Sequence, residues 1–228
     1  TKLFIGLSYA ILVAIFLVLF FSNFSLTEIT SYDFIKKYRL YFLNLKDLNL
    51  FIVLLFFLIF TILWVFPFLG FGSPIAILGG FIFGKWIGTL VVVLGLSIGA
   101  TFLYIFGNYF LKEIIREKFL VKYKNLEIKF KKSEFIYLFI FRFVGGIPFQ
   151  IQNVLPCIFD VKVSNFFWST FLGMMPSLFI VISVGSGLEE IIDQNLEAPS
   201  VIDLITSPSI YIPLIAFFAL LVITIFLI

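Results

Sequence analysis

Runs of about twenty consecutive apolar residues recur along this chain, each long enough to cross the hydrocarbon core of a bilayer as a helix. They fall at roughly 3–22, 50–69, 86–108, 163–186 and 209–228. A chain of 228 residues that is 62% hydrophobic, with 34 phenylalanines and only 13% charged residues, has no interior large enough to hide that surface from water. Lipid is therefore the solvent for most of it, and the backbone polar groups must be satisfied within helices. The expected fold class is an all-α integral membrane protein, with one membrane domain and about five transmembrane helices. The first run lacks a small-residue cleavage site before Asn23 and carries a single Lys2 ahead of it, so it reads as a retained helix.

Two apolar segments are too short and too interrupted to span. One is 70-GFGSPIAILGGFIFGK-85; the other, about 135–158, contains 141-FRFVGGIPFQIQNVLPCIFD-160. Each holds a glycine cluster, a proline and a second helix-breaker some ten residues on. Apolar segments of that length are commonly re-entrant, and irregular backbone survives at membrane depth only where protein or a wet cavity surrounds it. The two are expected to be re-entrant helical hairpins, at about 70–85 and 135–160. Each opens on F-x-F, an aliphatic residue and glycine; one gap later Pro74 falls with Pro148 and Gly79 with Asn153, and a spanning helix follows each. This is a weak inverted repeat, the architecture of many secondary transporters.

Charge orients the chain. The connection 109–134 carries Lys112, Arg116, Lys118, Lys122, Lys124, Lys129, Lys131 and Lys132 against four glutamates, whereas 189–206 carries Glu189, Glu190, Asp193, Glu197 and Asp203 and no basic residue. The positive-inside rule places the first in the cytoplasm and the second outside. The C-terminus is then cytoplasmic, the N-terminus external by parity, and the hairpins enter from opposite faces. Lys36, Lys37, Arg39 and Lys46 make 23–49 lean cytoplasmic. Leu111, Ile114, Ile115, Phe119, Leu120 and Tyr123 space the basic segment as an amphipathic helix on anionic lipid, or equally as a solvated positive-inside loop. Three divisions follow: 1–49, an N-terminal helix and its connection; 50–190, a core holding both hairpins; and 191–228, an acidic loop and a last helix.

The chemistry available is narrow. There is no histidine, and Cys157 is the only cysteine, so no intramolecular disulfide, thiolate cluster or metal site is expected. No nucleophile–base pair, carboxylate pair or phosphate-cradling loop appears in an apolar segment, which disfavours an enzyme; no cofactor is expected. Nucleic-acid binding is disfavoured because the basic residues lack a folded soluble platform. Arg142 stands out, since a charge at membrane depth costs about 2.5–3.5 kcal/mol on insertion scales and usually faces a cavity or partner. It is read either as a bidentate phosphate clamp or as an interfacial arginine that snorkels or pairs with Asp160. Gln150, Gln152 and Asn153, beside Pro148, are either headgroup donors or partners for the backbone groups the proline and glycines free. Asp160 could take up a proton, though an ordinary interfacial acid is the commoner case; Lys85 could attract anionic headgroups or simply snorkel. Gly72, Gly79, Gly80, Gly84, Gly145 and Gly146 are the expected hairpin hinges. Gly80, Gly84, Gly88, Gly95 and Gly99 also repeat at the spacing that lets helices approach closely, and Pro176 predicts a kink.

Gly79, Gly80 and Gly84 as G-G-x-x-x-G, continuing to Gly88, then Arg142 with Gly145, Pro148, Phe149 and Asn153, then Gly173-x-x-Pro176, follow one another in an order that resembles the DedA superfamily. This is also called the SNARE-associated Golgi protein or VTT-domain family. The resemblance covers roughly 50–190 and is nearer the Golgi-protein branch. It implies two re-entrant hairpins facing each other and lipid-related transport, either recycling of undecaprenyl phosphate in bacteria or phospholipid scrambling. DedA proper carries acidic residues around its first hairpin. Here 70–88 has none, its only charge being Lys85, which departs from a proton-coupled pattern. The expected function is a lipid transporter or scramblase in a bacterial inner membrane, with membrane lipids (anionic phospholipid or undecaprenyl phosphate) as partners and a possible homo-oligomeric state. An ion-coupled small-solute transporter and a non-transporting scaffold are the alternatives.

Overall fold

The computed structural model describes residues 49–66, 71–110, 132–144, 148–194 and 206–227, with a few further positions, Lys112 and Glu113 among them. Every element in these residues is helical: α1 (Leu50–Val65), α2 (Gly72–Phe110), α3 (Glu134–Val144), α4 (Phe149–Val154), a 3-10 turn (Leu155–Phe159), α5 (Val163–Gln194) and α6 (Pro208–Leu227). Most of the first apolar run and of both charged connections, together with Gly145 and Gly146, lie outside the described residues.

α1 begins where the Asn49 side chain accepts a hydrogen bond from the Ile52 amide at 3.2 Å, satisfying one of the orphan donors of a helix start. It ends at Val65 because Phe66 precedes Pro67 and is pushed to extended backbone. Its 16 residues reach about 24 Å, short of the roughly 30 Å of a bilayer core. Of the spanning helix expected over 50–69, the described residues show helix over Leu50–Val65.

α2 is two helices joined at Gly84, whose φ of 72° and ψ of 176° fall in a region open essentially to glycine alone. The chain reverses there. A Cβ built at Gly88 would sit 2.7 Å from the Gly79 carbonyl oxygen, and one at Gly72 would meet Leu96 at 3.4 Å. Residues 72–83 therefore fold back along the limb 85–110. Gly72, Gly79 and Gly80 are helical, so the hinge expected of them belongs to Gly84. Residues 72–83 also pack on α1, where Phe57 reaches Gly79.

Helix directions follow from contact pairs. Thr61 packs on Gly95 and Val65 on Gly99, so α1 runs parallel to the 85–110 limb. Tyr104 stacks on Phe166 at 4.5 Å, and Ile182 meets Gly88, so α5 runs antiparallel to that limb. Phe139 and Arg142 press on Gly173 while Glu134 reaches Asn165, so α3 runs parallel to α5. α4 and the 3-10 turn return beside it to Asp160. One unit, a helix inward, a helix back and a long helix, is thus used twice with the long helices opposed. The two positive-φ residues among those described, Gly84 and Asp160 (φ 53°), occupy matching places ahead of each long helix.

Among the described residues Gly72–Phe110, which includes the 85–110 limb, and Val163–Glu190 are long and apolar enough to cross a membrane. Between the 104/166 and 88/182 pairs, Gly173 falls level with Ser97, at the middle of the 85–110 limb. α1 ends opposite Gly99 and α3 passes Gly173, so these two helices reach that middle level from opposite ends of the bundle.

Candidate functional site

At this middle level the apolar core becomes polar. Thr61, Ser97, Thr101, Arg142, Gln152, Asn153, Ser169 and Thr170 are all buried. Arg142 lies near the end of α3 with 2% of its surface exposed. Its Nη1 donates to Gln152 Oε1 at 3.2 Å and its Nη2 to Asn153 Oδ1 at 2.8 Å. Gln152 Nε2 donates back to the Phe141 carbonyl at 3.4 Å. The guanidinium lies over the rings of Phe149 (5.7 Å) and Phe166 (5.2 Å). Close approach of α3 to α5 is possible because residue 173 is glycine: a Cβ there would be 2.8 Å from Arg142 Cβ and 2.9 Å from the Phe139 carbonyl oxygen.

These contacts decide how the charge is tolerated. A hydrogen bond to a charged group contributes about 1.5–3 kcal/mol and a desolvated cation–π contact up to about 2. Together they roughly offset the cost of placing arginine at membrane depth. What they leave is polar capacity. Among the described residues no carboxylate pairs with Arg142, and its Nε, Asn153 Nδ2, Thr170 Oγ1 and Ser97 Oγ have no hydrogen-bond partner. Phe166, Thr170 and Gly173 share one stripe of α5 by helical spacing, and the first and last of them touch Arg142. Ser97 lies across on α2 at the same level. The neighbourhood is thus rich in donors and carries one uncompensated positive charge, the complement of an anion such as a phosphate.

The residues singled out from sequence separate into three places. Arg142, Gln152 and Asn153 come together. Pro148 sits at the start of α4, with Gln150 half-buried beyond it. Asp160 does not reach Arg142. It pairs with Lys112 at 2.8 Å and accepts from Asn108 Nδ2 at 3.4 Å, so the Arg142–Asp160 pair is corrected: the α4 arm carries the acid away to the far end of α2. Lys85, at the opposite end of the 85–110 limb, stands level with Gly185, some twelve residues along α5 from Gly173. Sequence reading missed Phe166, Thr170, Ser97 and Tyr104. The stripe through Gly173 was the available signal, masked because a phenylalanine and a threonine look ordinary in an apolar helix. Tyr104 Oη donates to the Val161 carbonyl at 2.5 Å and ties the long limb to the end of the returning arm.

A sequence profile described as the VTT domain matches residues 66–187. The chain is 28% identical over 120 residues to a transmembrane protein 41 homolog of Caenorhabditis elegans, covering 51% of this chain and 49% of that one. It is 29% identical over 158 residues to the Dictyostelium discoideum homolog of the same name (68% and 46%). It is 26% identical over 114 residues to the uncharacterized protein YqeD of Bacillus subtilis (49% and 55%). The chain spans about half the length of the curated relatives it matches. No solved structure matches it.

Proposed function

This chain belongs to the VTT-domain family within the DedA and SNARE-associated Golgi protein superfamily, and from that premise and the Arg142 site we propose that it is a membrane protein that moves phospholipid or polyprenyl-phosphate lipid across the bilayer. Under this reading α1 with 72–83, and α3 with α4, are re-entrant hairpins entering from opposite faces. The long helices 85–110 and α5 span. The hairpin turns meet near the midplane, where secondary transporters bind their substrates. Four spans in all would arise if the first and last apolar runs also cross, the re-entrant arms not being counted. A bacterial inner membrane is the location proposed, and charge supports 109–134 on its cytoplasmic side.

The observation that carries the reading is the buried guanidinium with amide partners, unused donors and no carboxylate. Arg142 would take the lipid phosphate, with Gln152 and Asn153 holding its fork in place until the phosphate arrives. In the conformation described Arg142 is closed off, so access requires the α3–α4 hairpin to part from α5. Transport, not catalysis, is the role proposed.

The test is movement of fluorescent phospholipid, and separately of a polyprenyl phosphate, across proteoliposomes holding the purified full chain. Wild type should move one of them and Arg142→Ala should lose at least tenfold in rate. An Arg142→Ala protein that elutes and melts like wild type and moves lipid at full rate would overturn the assignment. Gradient-dependent uptake of a small solute in its place would favour the coupled-transporter alternative.

A further inference from the structure

The third place reached by the polar residues, Lys85, opens a different site. α6 packs on α5 but stands off from α2, and the gap is an apolar cavity of about 460 Å³ lined by Trp86, Leu90, Met175, Phe179, Pro213 and Ala216. It joins a second space of about 340 Å³, with which it shares Trp86, Phe179, Pro213 and Ala216, and whose lining adds Lys85 and Pro208. Both volumes fall in the roughly 300–1,000 Å³ range of small-molecule sites. The groove has a polarity. Met175 and Pro176, deep in it, stand about ten residues along the bundle from Lys85, or roughly 15 Å of helix rise. At its mouth Lys85 is half-buried, and no carboxylate among the described residues pairs with it. Lys85 opens the 85–110 limb and Pro208 opens α6, so the positive ends of two helix dipoles converge on that mouth.

An elongated apolar slot beneath Lys85, unpaired among the described residues, and two helix N-termini fits one kind of occupant. We infer that the groove seats one acyl chain of an anionic phospholipid from the surrounding leaflet, with its phosphate against Lys85 and its chain between Leu90, Phe179 and Ala216, completing the missing contact between α2 and α6. The site is separate from Arg142, and its occupancy does not depend on lipid crossing the bilayer.

Trp86 lines the groove and reports on it. In a full-length Trp64→Phe, Trp168→Phe protein, Trp86 is the only indole of the three in the chain. Reconstituted with phosphatidylglycerol or phosphatidylcholine brominated on the acyl chain, it should be quenched preferentially by the anionic lipid. Lys85→Gln should reduce that preference about fivefold, the effect of one lysine beside anionic headgroups. Lys85→Arg should retain it, and Ala216→Phe should abolish it by filling the slot. Equal quenching by the two lipids, or a preference unchanged in both Lys85→Gln and Ala216→Phe, would overturn the inference. Should Ala216→Phe fail to fold, the Lys85→Gln and Lys85→Arg pair decides alone.

Discussion

Arg142 is held by partners that would be orphaned without it. Truncating it strands Gln152 Oε1 and Asn153 Oδ1 in an apolar interior, and each buried unsatisfied acceptor costs about 1–3 kcal/mol. Replacing all three polar groups with apolar ones of similar shape avoids that penalty. Arg142→Met alone should therefore lower thermal stability in detergent, whereas Arg142→Met with Gln152→Leu and Asn153→Leu should recover most of it. The same triple variant should move no lipid. A stable triple variant that transports at the wild-type rate would show the cluster to be packing only. Asp160 makes a contrasting case. Its ion pair with Lys112 is 57% exposed on the acid's side, and surface pairs are worth about 0–1 kcal/mol. Asp160→Asn keeps a side chain that tolerates left-handed backbone, so stability should shift by less than about 1 kcal/mol, and a larger loss would assign the acid a deeper role.

At the scale of elements, glycines do two different things here, and substitution separates them. Gly84 has open space around it, with nothing within 4 Å of a built Cβ, but a backbone region that L-residues avoid. Gly84→Ala should cost about 1–3 kcal/mol from backbone strain alone. Gly80 and Gly185 are helical but touch backbone across the 72–83/α5 crossing. A Cβ at Gly80 would lie 1.9 Å from the Ile182 carbonyl oxygen and one at Gly185 would lie 2.0 Å from that of Ile77. Backbone cannot rotate away as a side chain can, so Gly185→Leu must separate the two helices and should destabilise more than Gly84→Ala. Unfolding titrations of the purified variants give the order. The reverse order would mean that the chain reversal, not the crossing, holds the first hairpin.

For the whole molecule the decisive question is which residues share a side. Asn49 and Lys85 lie at one end of the bundle; Lys112, Glu134 and Asp160 gather at the other, where Glu134 also accepts from the Lys162 amide at 3.1 Å. With Cys157 replaced by serine, single cysteines at 49 and 85 should label from one face of the membrane. Cysteines at 112 and 160 should label from the opposite face, and 71 and 148, next to the hairpin turns, should label slowly from both. Labelling of 49 and 71 from opposite faces would mean that α1 crosses, which its 16 residues and Pro67 argue against.

Much of this was legible along the chain. Apolar run length alone required a helical membrane protein, and the motif glycines, Arg142 and Gly173-x-x-Pro176 pointed to the family that the VTT-domain match shows. The repeat was visible through Pro74 and Pro148, because proline and glycine act on the backbone of their own segment and so announce themselves locally. What sequence could not supply was distance. Whether Arg142 meets Asp160 or Asn153, whether Gly79 turns the chain or packs against Val92, and where the first hairpin ends all depend on which helices lie side by side. In an apolar chain nearly every face looks equally buriable, so composition does not choose the neighbours. Close backbone approaches at Gly80, Gly173 and Gly185, and the seat of Thr61 on Gly95, choose them. Those approaches put the one buried cation among the described residues, Arg142, beside two amides and leave a second cation, Lys85, at the mouth of an apolar groove.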